Sequence, residues 1–140
     1  YLSRTQVKMA VLDDIKYKML AEYMKNNSRK ATKAELLLIS FLVKKANLIL
    51  NDNWQEDLTV SPMDDGGMGS LILDSDSDSD TDAKRTMGSQ ASECSFLDED
   101  GMVVLAALNL DKNGKLFELD LWRVDFNPLK TLPLDESAYY

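Results

Sequence analysis

Carboxylates are the reactive side chains this chain has in quantity: 24 Asp and Glu stand against 16 Lys and Arg, with no histidine and one cysteine in 140 residues. Without imidazole the chain lacks the group that exchanges protons most readily near neutrality. The His-dependent nucleophile triads and the Cys/His zinc sites go with it. Cys94 has no second cysteine to pair with, and its place inside a predicted strand reads as a small core position rather than a reactive thiolate. What remains is hard-cation chemistry, magnesium or calcium held by oxygens.

Three stretches invite that chemistry, and each departs from it. In the run DSDSDSDTD (74–82), Asp74, Asp76 and Asp78 alternate like the first half of a calcium loop. Ser79 then stands where the loop needs Gly, and Arg85 where it needs a bidentate Glu. The run reads as a solvated, disordered hairpin loop over 74–89 joining the strands on either side. In the stretch 64–70, Asp64 and Asp65 precede Gly66, Gly67 and Gly69. A phosphate cradle needs a helix N-terminus behind it, whereas Leu71-Ile72-Leu73 reads as a strand, so the glycines read as a structural loop. Glu118-Leu119-Asp120 lacks the lysine that would complete a restriction-type nuclease triplet. Its carboxylates are expected opposite the apolar run 104–108 and partly desolvated, with Arg123 or Lys115 as the answering cation. A structural ion pair, a partner-binding acidic stripe and a metal or catalytic role all fit that spacing.

The elements that must position these groups follow from periodicity. Residues 102–110, MVVLAALNL, are apolar at both parities, as in a strand buried on both faces. Asp111-Lys112-Asn113-Gly114 then turns the chain, and Phe117, Leu119 and Leu121 alternate with Glu118 and Asp120. The alternation flips near Leu121-Trp122, which predicts a bulge there. Trp122 and Phe126 are expected in the core. Asp98-Glu99-Asp100-Gly101 provides a second turn, so residues 91–126 read as a three-stranded meander. Leu58 and Val60 mark a short strand stopped by Pro62.

Leu12, Ile15, Met19 and Tyr23 recur at helical spacing, predicting a helix over 5–25; Thr32-Lys33-Ala34-Glu35 has the form of a capping box opening a second helix that runs to about residue 48 or 50. The fold class is therefore α+β, two N-terminal helices packed on one face of an antiparallel, largely meander sheet of about five strands. Residues 1–28 form a helical extension, 29–129 the domain, and 130–140 a tail that packs through Leu132 and Leu134 before fraying.

Three motifs carry a resemblance: DGGMGS at 65–70, F-x-DEDG at 96–101 and ELD-x-W-x-VDF at 118–126. In this order and spacing they resemble a family of small bacterial domains of unknown function, over about 29–129. The resemblance implies no activity. The residues before 28 and the Asp-Ser run are additions to its pattern. Small acidic α+β proteins are also similar, in fold and charge alone, to immunity proteins that neutralise bacterial toxins.

Charge is unevenly spread. Residues 1–50 hold ten Lys or Arg against four Asp or Glu, and residues 51–140 hold six against twenty. Such an acidic surface repels nucleic acid and attracts a basic protein. The expected function is non-catalytic binding of another protein, inhibition of a basic toxin included, through Asp64, Asp65, Glu118, Asp120 and Asp125. An enzyme whose carboxylates hold a divalent cation, and a module dimerising through the first helix, are the alternatives. No cofactor is expected. No apolar run reaches the roughly 20 residues of a membrane span, and one unpaired cysteine fits a reducing, cytoplasmic setting. The chain opens at Tyr1 and not Met, which leaves a trimmed amino terminus open.

Overall fold

The computed structural model describes residues 26–75 and 85–140, together with 18, 19, 22 and 23. The first helix expected over 5–25 and the centre of the Asp-Ser run therefore lie outside the described residues, apart from those four positions and the flanks of the run. The remainder is α+β. Six strands, β1 (Arg29–Lys30), β2 (Leu58–Pro62), β3 (Leu71–Ser75), β4 (Met87–Leu97), β5 (Val103–Asp111) and β6 (Leu116–Arg123), form one sheet in the order β1-β2-β3-β6-β5-β4. Every pairing is antiparallel. The sheet thus has six strands rather than about five. The additional one, β1, is two residues long at an edge, too short to leave an alternation in the sequence.

The meander β4-β5-β6 forms as its turns dictate. Asp111 N donates to Lys115 O, and Gly114 takes a positive φ of 79°; Asp98 N donates to Met102 O across the other turn. The expected hairpin across the Asp-Ser run does not form. β3 pairs with β6, and β4 lies at the opposite edge, so β6 and β5 stand between β3 and β4 in the sheet. That is a Greek-key connection, in which the last strand of the meander returns beside the strand that preceded it.

Arg85 ties this crossing down. Its Nε donates to Asp111 Oδ2 (3.1 Å), Nη1 to Leu73 O (2.8 Å) and Nη2 to Leu116 O (2.6 Å), and its guanidinium lies 5.0 Å from the Phe117 ring centroid. The flanks of the run are therefore ordered. Asp74 and Ser75 belong to β3, and Met87 opens β4.

α1 (Lys33–Lys45) covers one face of the sheet. Its capping box is complete: Glu35 N donates to Thr32 Oγ1 (3.2 Å) and Thr32 N to Glu35 Oε1 (2.8 Å). Burial pulls the Glu35 carboxyl up, but Arg29, 2.7 Å away, and the Thr32 donors outweigh it and hold it below its ordinary value. The helix stops at Lys45, short of residue 48, because Asn47 adopts φ +55° and its N–H donates to Lys44 O while Leu48 N–H donates to Val43 O. Those two bonds are a Schellman close, which Asn tolerates without a glycine.

Leu38, Ile39 and Leu42 meet Leu58, Val60, Leu73, Val104, Leu108, Leu119 and Leu121 in the core, all at 0–3 % exposure. Each such side chain contributes about 1.5–3 kcal/mol on burial. α2 (Trp54–Asp57) is a single turn that sets Trp54 against this core. Cys94 is buried there too, and burial pushes its thiol up to about 11. The tail does not fray. Leu134 is exposed, but Tyr139 is buried between the rings of Phe41 and Phe96, and Tyr140 exchanges backbone hydrogen bonds with Ser95 on the β4 edge.

Candidate functional site

Alternation along β6 decides which polar groups meet. Leu119, Leu121 and Arg123 oppose Leu108, Ala106 and Val104 on the helix-covered face; Glu118, Asp120 and Trp122 oppose Asn109, Ala107 and Leu105 on the outer face. No register shift occurs at Leu121-Trp122. The bulge lies earlier, where Phe117 is the extra residue between the pairs Asn109–Glu118 and Leu110–Leu116. Arg123 is thus pushed, almost fully buried, to the rim of the core. It answers neither Glu118 nor Asp120, which point the other way.

A guanidinium in that position needs five acceptors, and the two turn motifs supply them. Arg123 Nη1 donates to Asp98 Oδ2 (2.7 Å) and Asp100 Oδ1 (3.0 Å), Nη2 to Asp100 Oδ2 (2.6 Å) and Asp125 Oδ2 (3.0 Å), and Nε to Asp125 Oδ1 (2.8 Å). All five N–H groups are used. Asp98 also accepts from the backbone N–H of Glu99, Lys130 and Thr131 (2.8–3.0 Å). Burial drives the Asp98 carboxyl up, but those amides and Arg123 reverse the shift and leave it below its ordinary value. Arg123 holds Asp100 below its usual value and Asp125 well below the usual carboxylate range; in return they raise Arg123.

The glycine loop joins the same corner. Asp65, buried, accepts from Met68 N (3.0 Å) and Ser70 N (3.1 Å), and Ser70 Oγ accepts from Leu121 N (2.9 Å). A Cβ on Gly67 would stand 3.2 Å from Pro128 Cβ, and one on Gly69 3.1 Å from Leu121 Cδ1. The glycines let the segment after Phe126 pack down, and Leu129 N closes it by donating to Gly67 O (3.0 Å). Gly67 and Gly69 thus stand where the chain is closely approached, whereas a Cβ on Gly66 would meet nothing within 4 Å, and all three take a positive φ.

A family model described as "Domain of unknown function (DUF6984)" matches residues 28–133. The chain belongs to this family. No curated protein and no solved structure matches it. The match frames the span of 29–129 drawn from the motifs; in the DUF6984 domain Asp98, Asp100 and Asp125 meet at Arg123, while Asp65 and Ser70 bind backbone groups of their own loop and of Leu121 beside it.

The five carboxylates expected to form a partner-binding surface do not come together as one. Asp65, Glu118 and Asp120 are buried, at 5, 0 and 8 % exposure; Asp125 is held by Arg123; Asp64 is exposed. Glu118 accepts from Asn109 Nδ2 at 2.9 Å, a partner the sequence reading missed because the Phe117 bulge moves the register by one residue. Among the described residues no group of three His, Cys, Asp or Glu could hold a metal ion. No helix of the described residues is long and apolar enough to cross a membrane. A cleft of about 250 Å³ lies between Trp54, Leu58, Arg85 and Leu116. It falls below the usual size of small-molecule pockets.

What the corner does present is apolar. On the outer face Leu97 pairs with Val103 and Leu105 with Trp122, and Val124 N donates to Val103 O (3.1 Å). Leu97, Leu105, Val124 and Phe126 are 53, 37, 39 and 63 % exposed. Trp122, half-buried, lies 5.7 Å from the Phe126 ring. Phe126 is therefore not a core aromatic. It leaves the strand through a turn, its N–H donating to Arg123 O (2.9 Å), and it takes φ +64°, a left-handed conformation rare for a bulky side chain.

Proposed function

We propose that this domain acts by binding another protein and not by catalysis, and that the contact is the outer-face patch of Leu97, Val103, Leu105, Trp122, Val124 and Phe126. The observation that carries this reading is Phe126, a ring 63 % exposed beside Trp122 and fixed by a braced turn. Exposed apolar clusters rimmed by polar groups mark interaction sites, and aromatic anchors dominate binding energy at interfaces. Three carboxylates surround the single guanidinium beside the patch, and the chain as a whole carries −8. Both favour a basic partner, drawn in by long-range attraction. The narrower form of the proposal is an inhibitor or immunity protein for a basic toxin.

A photo-crosslinking residue placed at Phe126 in the producing cell tests it. A discrete protein adduct is expected from that position and none from the exposed Gln90 on β4. Adducts that are absent, or the same from both positions, would remove the proposal's support. A second reading is favoured by Met19 and Tyr23, which are 67 and 55 % exposed although they belong to the apolar stripe of the first helical segment. Assembly of two copies through that stripe predicts a dimer that becomes monomeric when residues 1–28 are deleted, as read by sedimentation.

A further inference from the structure

We propose, building on the protein-binding reading above, that Phe126 is the anchor of the docking surface for a basic protein, and that Asp125 is a positioning residue that acts through it. Its neighbours make Asp125 a clamp. Both carboxylate oxygens meet Arg123, at 2.8 and 3.0 Å, and the same oxygens accept from Asn127 N (3.0 Å) and Nδ2 (2.9 Å). The residue between those two partners is Phe126. Its φ of +64° is thus held from both sides, by Asp125 before it and by Asn127 after it. A left-handed aromatic persists only where its surroundings over-determine it, and such outliers gather at ligand clamps. Nothing in the core requires the ring, since it is 63 % exposed. The clamp is therefore out of proportion to the packing it secures, and in proportion to the presentation of a rigid ring.

The occupant follows from charge. Around the apolar centre stand Glu99, Asp100 and Asp125, with Asp98 behind them; Arg123 neutralises one of the three carboxylates it touches. The four acids less that one guanidinium leave three formal negative charges among these groups, in the stretch 51–140 where acids outnumber bases by twenty to six. A second copy would bring the same acidic rim against itself. A surface with an apolar hollow ringed by Lys and Arg complements both the ring and the rim.

The test uses a display library of random peptides, selected on the intact chain and then titrated against variants. Selected peptides should carry Lys or Arg around apolar residues. Phe126→Gly should weaken them by about thirtyfold, the loss of an anchor residue, while its thermal midpoint stays level or rises, because glycine adopts φ +64° freely. Asp125→Asn should weaken them in the parent chain and have no further effect in the Phe126→Gly background, the non-additivity expected of a residue that works through another. Additive losses would overturn the positioning role. Peptides that bind the parent and Phe126→Gly alike would overturn the anchor and leave protein binding standing. A library that yields no binders, joined to the absence of adducts from position 126, would overturn both.

Discussion

Arg123 is the residue on which the corner depends. Its side chain is 4 % exposed and that of Asp98 0 %, so removing the guanidinium leaves a buried carboxylate facing two others. Arg123→Ala should lower the thermal midpoint by on the order of 10 °C, measured by calorimetry at neutral pH. The acid side carries the complementary signature. Asp98, Asp100 and Asp125 are all held below the ordinary value of 3.8. Their contribution is complete above that value, where the unfolded chain is already ionised, and it is lost as pH falls below about 4 through the folded values. The thermal midpoint of the parent chain should therefore drop on acidification through that window, and that of Arg123→Ala should drop less. This pairing was half legible. Arg123 shares parity with Leu119 and Leu121, so a buried cation in want of acids could be read from the alternation; Asp125, two residues on, answers it locally, whereas Asp98 and Asp100 come from a turn 23 to 25 residues back. Phe126 was misread because its left-handed turn takes it out of the pleat whose alternation had placed it in the core.

Local signals mapped onto elements where they set the backbone directly. The capping box opens α1, Gly101 and Gly114 mark the two turns, and the alternation of Leu58 and Val60 makes β2. Where a contact between distant segments decided, the sequence was silent. The end of α1 is by contrast local, the Asn47 N–H donating to Lys44 O and the Leu48 N–H to Val43 O. β6 lies between β3 and β5 because β4 starts at the far edge, and no local pattern encodes that order. Gly88 illustrates the same limit. It sits in an irregular stretch of β4, where the register against β5 shifts between Met87 and Ser89, and a Cβ there would stand 2.3 Å from Asp111 O. Because the obstacle is backbone, Gly88→Ala should cost at least about 1–3 kcal/mol, seen as a lower urea midpoint with an unchanged slope.

At the scale of the whole molecule the polar motif residues hold the fold, and the surface they leave outward is apolar and acid-rimmed. Little of the candidate site was legible: the three motifs come together through contacts between segments distant in the chain, and the carboxylates expected to face a partner are mostly buried or hydrogen-bonded. The domain acts, on this account, through contact at Phe126 and its neighbours. The most direct measurement is to titrate the isotope-labelled chain with the partner recovered by crosslinking and to follow the backbone amide resonances. Shifts are expected to centre on Leu97, Val103, Leu105, Trp122, Val124 and Phe126 and to weaken as salt is raised. Shifts gathered instead around Glu118 and Asp120, or in the cleft beside Trp54 and Arg85, would contradict it.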